Sequence, residues 1–199
     1  GKRRIRLMKS LIPDIEIVGV DTSENRCIAV NNEYGIHAYR SIESAINDAN
    51  PTAAFICTSP LSHKDIILKC LDYNLHIFTE LNLVSDGYEE IDALVREKNV
   101  VFFLSSTLLY RKDINYLQER VKSVEKVNYI YHVGQYLPDW HPWESYQDFF
   151  VSDKRTNGCR EIFAIDLPWI LKTFGEVESF SAVKDKISSL CIDYFDNYI

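Results

Sequence analysis

Residues 55–82 read FICTSPLSHKDIILKCLDYNLHIFTELN. An apolar run, Ala53 to Cys57, ends in Thr58-Ser59-Pro60, and His63 follows three residues after the proline. A helical pattern extends from Pro60 to Tyr73, and a second apolar run, Leu75 to Thr79, ends in Glu80. This is strand, turn, helix and strand, the repeating unit of a parallel sheet. Polar residues stand at the carboxyl ends of both strands, where open parallel sheets bind nucleotides.

The alternation continues on both sides. Upstream, Ile5, Met8, Leu11 and Ile12 define one face of a helix that stops before Pro13, and the β-branched run Ile15 to Val20 predicts a strand tipped by Asp21. Ser23 is placed to cap the next helix, which Gly35 ends, and Ser41 to Ala49 forms a short helix before Pro51. Downstream, Asp86 to Lys98 is a helix with Ile91, Leu94 and Val95 inward, and Val100 to Ser105 is a strand. Strands and helices in strict alternation specify an α/β fold, a Rossmann-type doubly wound parallel sheet. Such a fold opens with a strand and a Gly-x-Gly-x-x-Gly turn. Gly1 is therefore expected to be the last glycine of that turn, with the first strand missing from the chain and two sheet edges left unpaired; a start directly at the helix is the alternative.

After about residue 108 the pattern changes. A helix over Arg111 to Val121 precedes a long strand, Lys126 to Gly134, and the aromatic loop QYLPDWHPWESYQDFF. A helix from Cys159 to Phe174 and a strand from Val177 to Val183 follow. The expected division is a dinucleotide-binding domain over residues 1–108 and, over 109–199, part of an α+β domain for substrate and oligomerisation.

Composition narrows the function classes. The chain has 199 residues, 46% of them apolar, enough for a packed core. Its net charge of −7 argues against nucleic acid, and the opening KRRIR reads as a solvated helix face. The five cysteines show no paired spacing and fit reduced thiols in a cytoplasmic protein. No apolar run approaches the roughly 20 residues that cross a bilayer, so no membrane partner is expected. The scattered histidines and cysteines do not give a metal-ligand spacing.

Together, the turn and the second strand end resemble the glucose–fructose oxidoreductase and inositol dehydrogenase (Gfo/Idh/MocA) family, whose cofactor domain carries a Thr-Pro-x-x-x-His turn and then Glu-Lys-Pro. The first motif appears here as Thr58, Ser59, Pro60 and His63, with one residue inserted after the threonine; the second appears as Glu80, Leu81 and Asn82. The resemblance covers essentially the whole chain, and the chain covers part of the family's length, incomplete at both ends. It implies that Glu80 contacts the nicotinamide ribose. The family's lysine, which lies beside the nicotinamide and assists proton transfer, is replaced by Leu81, so either another side chain supplies the proton or the protein binds cofactor without turnover.

Each site residue also has a plainer reading. Asp21 ends a strand where a carboxylate accepts from adenosine ribose hydroxyls and repels a 2′-phosphate, favouring NAD over NADP, but a turn or capping aspartate has the same sequence. Arg26, one turn later, blunts that preference by reaching a phosphate. Thr58, Ser59 and Pro60 line the ribose and nicotinamide, and His63 orients the loop or serves as a general base. On the helix over Cys159 to Phe174 the family carries Asp-x-x-x-His-x-x-Asp, and the matching positions are Glu161, Ile165 and Pro168. Asp166, re-aimed by a kink or late start at Pro168, and His141 in the aromatic loop are the candidate catalytic groups. Tyr136, Trp140, Trp143 and Tyr146 stack on a sugar or nucleotide ring or pack a core or subunit interface. The resemblance thus implies hydride transfer between NAD and a sugar or sugar derivative by a homo-oligomer, a dimer or tetramer. A catalytically inactive cofactor-binding protein and a nucleotide-sugar-binding module are the alternatives.

Overall fold

The computed structural model describes residues 1–199, which form two compact units. The first comprises Gly1–Thr58, Ser62–Glu80 and Gly87–Phe103; the second comprises Ser59–Leu61, Leu81–Asp86 and Leu104–Ile199.

The first unit alternates helices and strands: α1 (Lys2–Leu11), β1 (Gly19–Val20), α2 (Glu24–Tyr34), β2 (Ala38–Tyr39), α3 (Ile42–Ala49), β3 (Ala53–Ile56), α4 (His63–Asp72), β4 (His76–Thr79), α5 (Tyr88–Lys98) and β5 (Phe102–Leu104). β1 pairs in parallel with β2, and β3 pairs in parallel with β4, Ala53 opposite His76 through Ile56 opposite Thr79. β5 lies on the far side of β4, and the two ladders are separate. This is the Rossmann-type alternation that the sequence predicts.

Its core follows from period-2 alternation along β3 and β4 and helical spacing along α4. Ile56 and Ile77 point to one face, where they meet Ile67, Cys70 and Leu71 of α4, Leu75 and Ile91 of α5. On the opposite face, Phe55, Phe78 and Phe103 stack across the sheet with centroids 4.9 and 5.6 Å apart. Stops and caps are local. Gly35 ends α2 at φ +65° and Gly87 precedes α5 at φ +75°, both conformations that a Cβ disfavours. Ser41 caps α3 by accepting from the Ser44 N–H at 3.2 Å.

Several boundaries differ from expectation. Only Gly19–Val20 of the run 15–20 joins a ladder, because its partner β2 is two residues long. The Pro60–Tyr73 helix opens as a 3₁₀ turn, Pro60–Ser62, and becomes α-helical at His63. Ser23 makes no side-chain cap; instead its own N–H donates to Asp21 Oδ1 at 2.8 Å, so the aspartate closes that turn. In α1, Ile5 and Met8 are half-buried while Leu11, and Ile12 just after the helix, are exposed.

The second unit contains α6 (Lys112–Val121), the single turn α7 (Leu137–Trp140), α8 (Gly158–Phe174) and a two-stranded antiparallel ladder of β6 (Lys184–Asp185) with β7 (Asn197–Tyr198). α8 packs against α6 and the 3₁₀ turn Thr107–Tyr110. It starts at Gly158, capped by Asn157 Oδ1, which accepts from the Arg160 N–H at 3.0 Å, and it runs through Pro168 without a late start. The strand expected at 126–134 joins no ladder. Its alternate residues Tyr129 and Tyr131 make ring contacts with Phe174 and Trp169 of α8 instead, while the segment itself stays exposed. Likewise the strand expected at 177–183 pairs only at its end, where Val183 exchanges two backbone hydrogen bonds with Ile199 (2.8 and 2.9 Å) next to the ladder at Lys184–Asp185. No helix is long and apolar enough to cross a membrane.

Candidate functional site

Within the first unit, the carboxyl ends of β3 and β4 are tied together by one histidine. His63 is 2% exposed; its Nε2 lies 3.0 Å from the Thr58 carbonyl oxygen. A carbonyl only accepts, so Nε2 carries the proton, and Nδ1 then faces Thr79 Oγ1 at 3.5 Å. The Thr79 hydroxyl donates to the Glu80 carbonyl at 3.0 Å, and Ser62 Oγ donates to Thr58 Oγ1 at 2.9 Å. The ring is enclosed and both nitrogens face protein atoms, which suits bracing the two strand ends rather than exchanging protons with a ligand.

Glu80 continues from β4, its N–H donating to the Ile56 carbonyl at 2.9 Å. Its Oε1 accepts from Arg4 Nε at 2.6 Å, and that bond holds the Arg4 guanidinium above its usual pKa. The Arg4 Cζ sits 4.6 Å over the Phe78 ring centroid, a cation–π contact. The sequence spacing of 76 residues gives no signal for this pairing. Burial pushes the neighbouring Cys57 thiol upward.

Asp21 follows β1. Oδ1 closes the turn through Ser23, and Oδ2 is 3.5 Å from Nη1 of the exposed Arg26. The turn reading of Asp21 is thus realised in its geometry, and the carboxylate remains about a third exposed, able to accept from a ligand hydroxyl. Gly1 caps α1, its carbonyl accepting from the Arg4 and Ile5 N–H groups at 2.9 and 3.1 Å. A Cβ on Gly1 meets nothing within 4 Å, so packing does not demand glycine there. Thr58 and Ser59 are exposed and Pro60 is buried. Carboxylates and hydroxyls at strand ends are the donor and acceptor set that ribose hydroxyls require, so the residues present fit a dinucleotide.

In the second unit, His141 follows α7 with its ring stacked on Trp143 and Phe149, centroids 4.9 and 4.4 Å away. Its Nδ1 is 2.6 Å from Glu144 Oε1. Glu144, three residues on, is the sequence signal for this pairing. Asp166 is 5% exposed and its Oδ1 accepts from both Tyr131 OH and Trp169 Nε1 at 2.9 Å. Tyr131 lies 35 residues away and had no sequence signature. Burial pushes Glu161 above the usual carboxylate range, with nearby His141 opposing, and its Oε2 is enclosed without a hydrogen-bond partner. His141 and Asp166 thus belong to different clusters. A cavity of about 440 Å³, lined by residues of α8 together with Tyr129, Glu125 and Glu176, is lined by neither.

Comparison with known proteins places this geometry. The family pattern described as an oxidoreductase family with an NAD-binding Rossmann fold matches residues 1–106. A myo-inositol 2-dehydrogenase of Thermotoga maritima is 24% identical over 107 residues, 52% of this chain and 32% of that relative. Among solved structures, GenD2 from gentamicin A biosynthesis, in complex with NAD, superposes with a TM-score of 0.69 at 14% identity, over 98% of this chain and 56% of that one. The WlbA dehydrogenase of Chromobacterium violaceum, in complex with NADH and UDP-GlcNAcA, gives 0.56 at 11% identity, over 61% and 36%. At these identities the structural likeness is one of fold. The chain spans about a third of the curated relative's length. Since the family pattern covers more than half of its residues, the protein belongs to the Gfo/Idh/MocA oxidoreductase family, with an NAD-binding Rossmann fold.

Proposed function

We propose that this protein is a nicotinamide-dependent oxidoreductase that moves hydride between NAD and a carbinol or carbonyl carbon of a sugar or sugar derivative. The observation that carries the reading is that Asp21, Thr58 and Glu80 end parallel strands of the family's cofactor domain. When bound, the nicotinamide supplies or accepts the hydride at its C4. Asp21 accepts from the adenosine ribose hydroxyls and repels a 2′-phosphate, making NADP the poorer ligand, with Arg26 reducing that penalty. Gly1 opens the helix whose first N–H groups attract the pyrophosphate. Thr58, Ser59 and Pro60 line the nicotinamide side, His63 holds Thr58 in place, and Glu80 accepts from the nicotinamide ribose. For the proton, His141 with Nδ1 oriented by Glu144 is the better candidate, because Asp166 is committed to two donors. Relatives named for myo-inositol and bound to UDP-GlcNAcA support a polyhydroxylated substrate. Residues 1–108 form the cofactor domain and 109–199 the substrate side of a cytoplasmic homo-oligomer.

Titration with NADH and NADPH, read as energy transfer from tryptophan, tests this reading. Saturable binding with NADH favoured supports it; failure of both coenzymes to bind rejects it.

Leu81, apolar and half-buried where the family has lysine, favours a second reading, a protein that binds cofactor without turnover. Activity appearing only in Leu81→Lys supports that reading, and turnover by the native protein excludes it.

A further inference from the structure

Arg4 and Glu80 form an ion pair that is anchored at both ends. The Glu80 backbone is tied to Ile56, and its carboxylate meets Arg4 Nε at 2.6 Å. The guanidinium lies over Phe78, which is itself stacked between Phe55 and Phe103. The two side chains are 21% and 35% exposed, whereas those of Lys2 and Glu33, also paired from α1, are 59% and 45% exposed. The Arg4–Glu80 pair is therefore less screened by water and salt, and its entropy of ordering is already spent by the surrounding contacts. It stands at the carboxyl end of β4, the edge at which open parallel sheets hold nucleotides.

The electrical consequence depends on the ligand's charge. A nicotinamide ring carries a positive charge when oxidised and none when reduced. A carboxylate beside it favours the oxidised form, a guanidinium favours the reduced form, and a closed pair favours neither. We infer that the Arg4–Glu80 pair sets the relative affinity of this protein for oxidised and reduced nicotinamide, with Arg4 a positioning residue that acts through Glu80. The inference rests on the reading above that Glu80 lies beside the nicotinamide ribose. It also gives α1 a role unrelated to its dipole: the helix delivers the cation that Leu81 does not supply.

The test is a set of dissociation constants for NADH, by fluorescence, and for NAD⁺, by competition, in the native protein and in Arg4→Gln, Glu80→Gln, the double variant and Arg4→Lys. Arg4→Gln is expected to raise the ratio Kd(NADH)/Kd(NAD⁺) about fivefold, the effect of one half-buried charge. That shift lowers the bound couple's midpoint potential by about 20 mV. Glu80→Gln is expected to lower the ratio by a similar factor. The double variant and Arg4→Lys should stay within about twofold of the native ratio, since both keep the charge balance. Equal loss of affinity for both coenzymes in Arg4→Gln and Glu80→Gln, with the ratio unchanged, assigns the pair a purely structural role and overturns the inference while leaving the NAD reading intact. Should Arg4→Gln not fold, an unchanged ratio in Glu80→Gln overturns it equally. A native protein that binds neither coenzyme removes both the reading and the inference.

Discussion

The imidazole of His63 reaches back across the turn to the carbonyl oxygen of Thr58, 3.0 Å from Nε2, so a side chain of α4 closes the end of the strand that precedes it. Because the ring is buried, His63→Ala removes packing and also leaves a strand-end carbonyl without its donor. The expected loss is about 2–4 kcal/mol in urea unfolding. His63→Gln, which keeps an N–H donor, should lose less, and a stability unchanged in both variants would show that the brace is unimportant.

Asp21 has two tasks with separate readouts. Asp21→Asn retains an oxygen for the Ser23 N–H but loses the charge, so stability should change little while NADH affinity falls about tenfold and NADPH gains relative to it. Parallel fluorescence titrations of the two coenzymes check this. An unaltered preference would mean that the aspartate serves the turn alone.

Asp166 should behave as a structural acceptor. Asp166→Ala abandons the Tyr131 hydroxyl and the Trp169 indole together, at an expected cost of about 2–4 kcal/mol. Asp166→Asn keeps Oδ1 as acceptor and should cost about 1 kcal/mol. If Asp166→Asn were as stable as the native protein yet abolished turnover, the carboxylate would regain its place as a proton carrier.

Cys70 supplies a pH signature. Burial pushes its thiol from 9.0 up to about 11, so the folded protein holds that proton where the unfolded chain releases it. The associated stability is fully present below pH 9 and is lost as pH rises towards 11, a decline of about 2–3 kcal/mol. Unfolding of native protein and Cys70→Ala across that interval separates this decline from general alkaline effects. At neutral pH the exposed Cys191 should react with iodoacetamide far faster than Cys70.

The order of elements over the first hundred residues was legible because it is written in local terms. Apolar periodicity marks β3, α4, β4 and α5, and Gly35 and Ser41 mark a stop and a start that the structure repeats. Strand extent was less legible. Ile15 to Val20 and Lys126 to Gly134 have strand composition, yet a strand exists only where a neighbour's backbone pairs with it, and composition carries no record of the neighbour.

The candidate site divides along the same line. The positions of Asp21, Thr58 and Glu80 just past strand ends and of His63 at the start of α4 were legible from sequence, because strand ends and a motif locate them. The partners that give those groups their chemistry were not, because hydrogen bonds and ion pairs depend on distance in space. Arg4 meets Glu80 across 76 residues, and Tyr131 meets Asp166 across 35. Chain order dictated which residues could stand at the strand ends; packing of helices and sheet alone decided which charges and donors would face them.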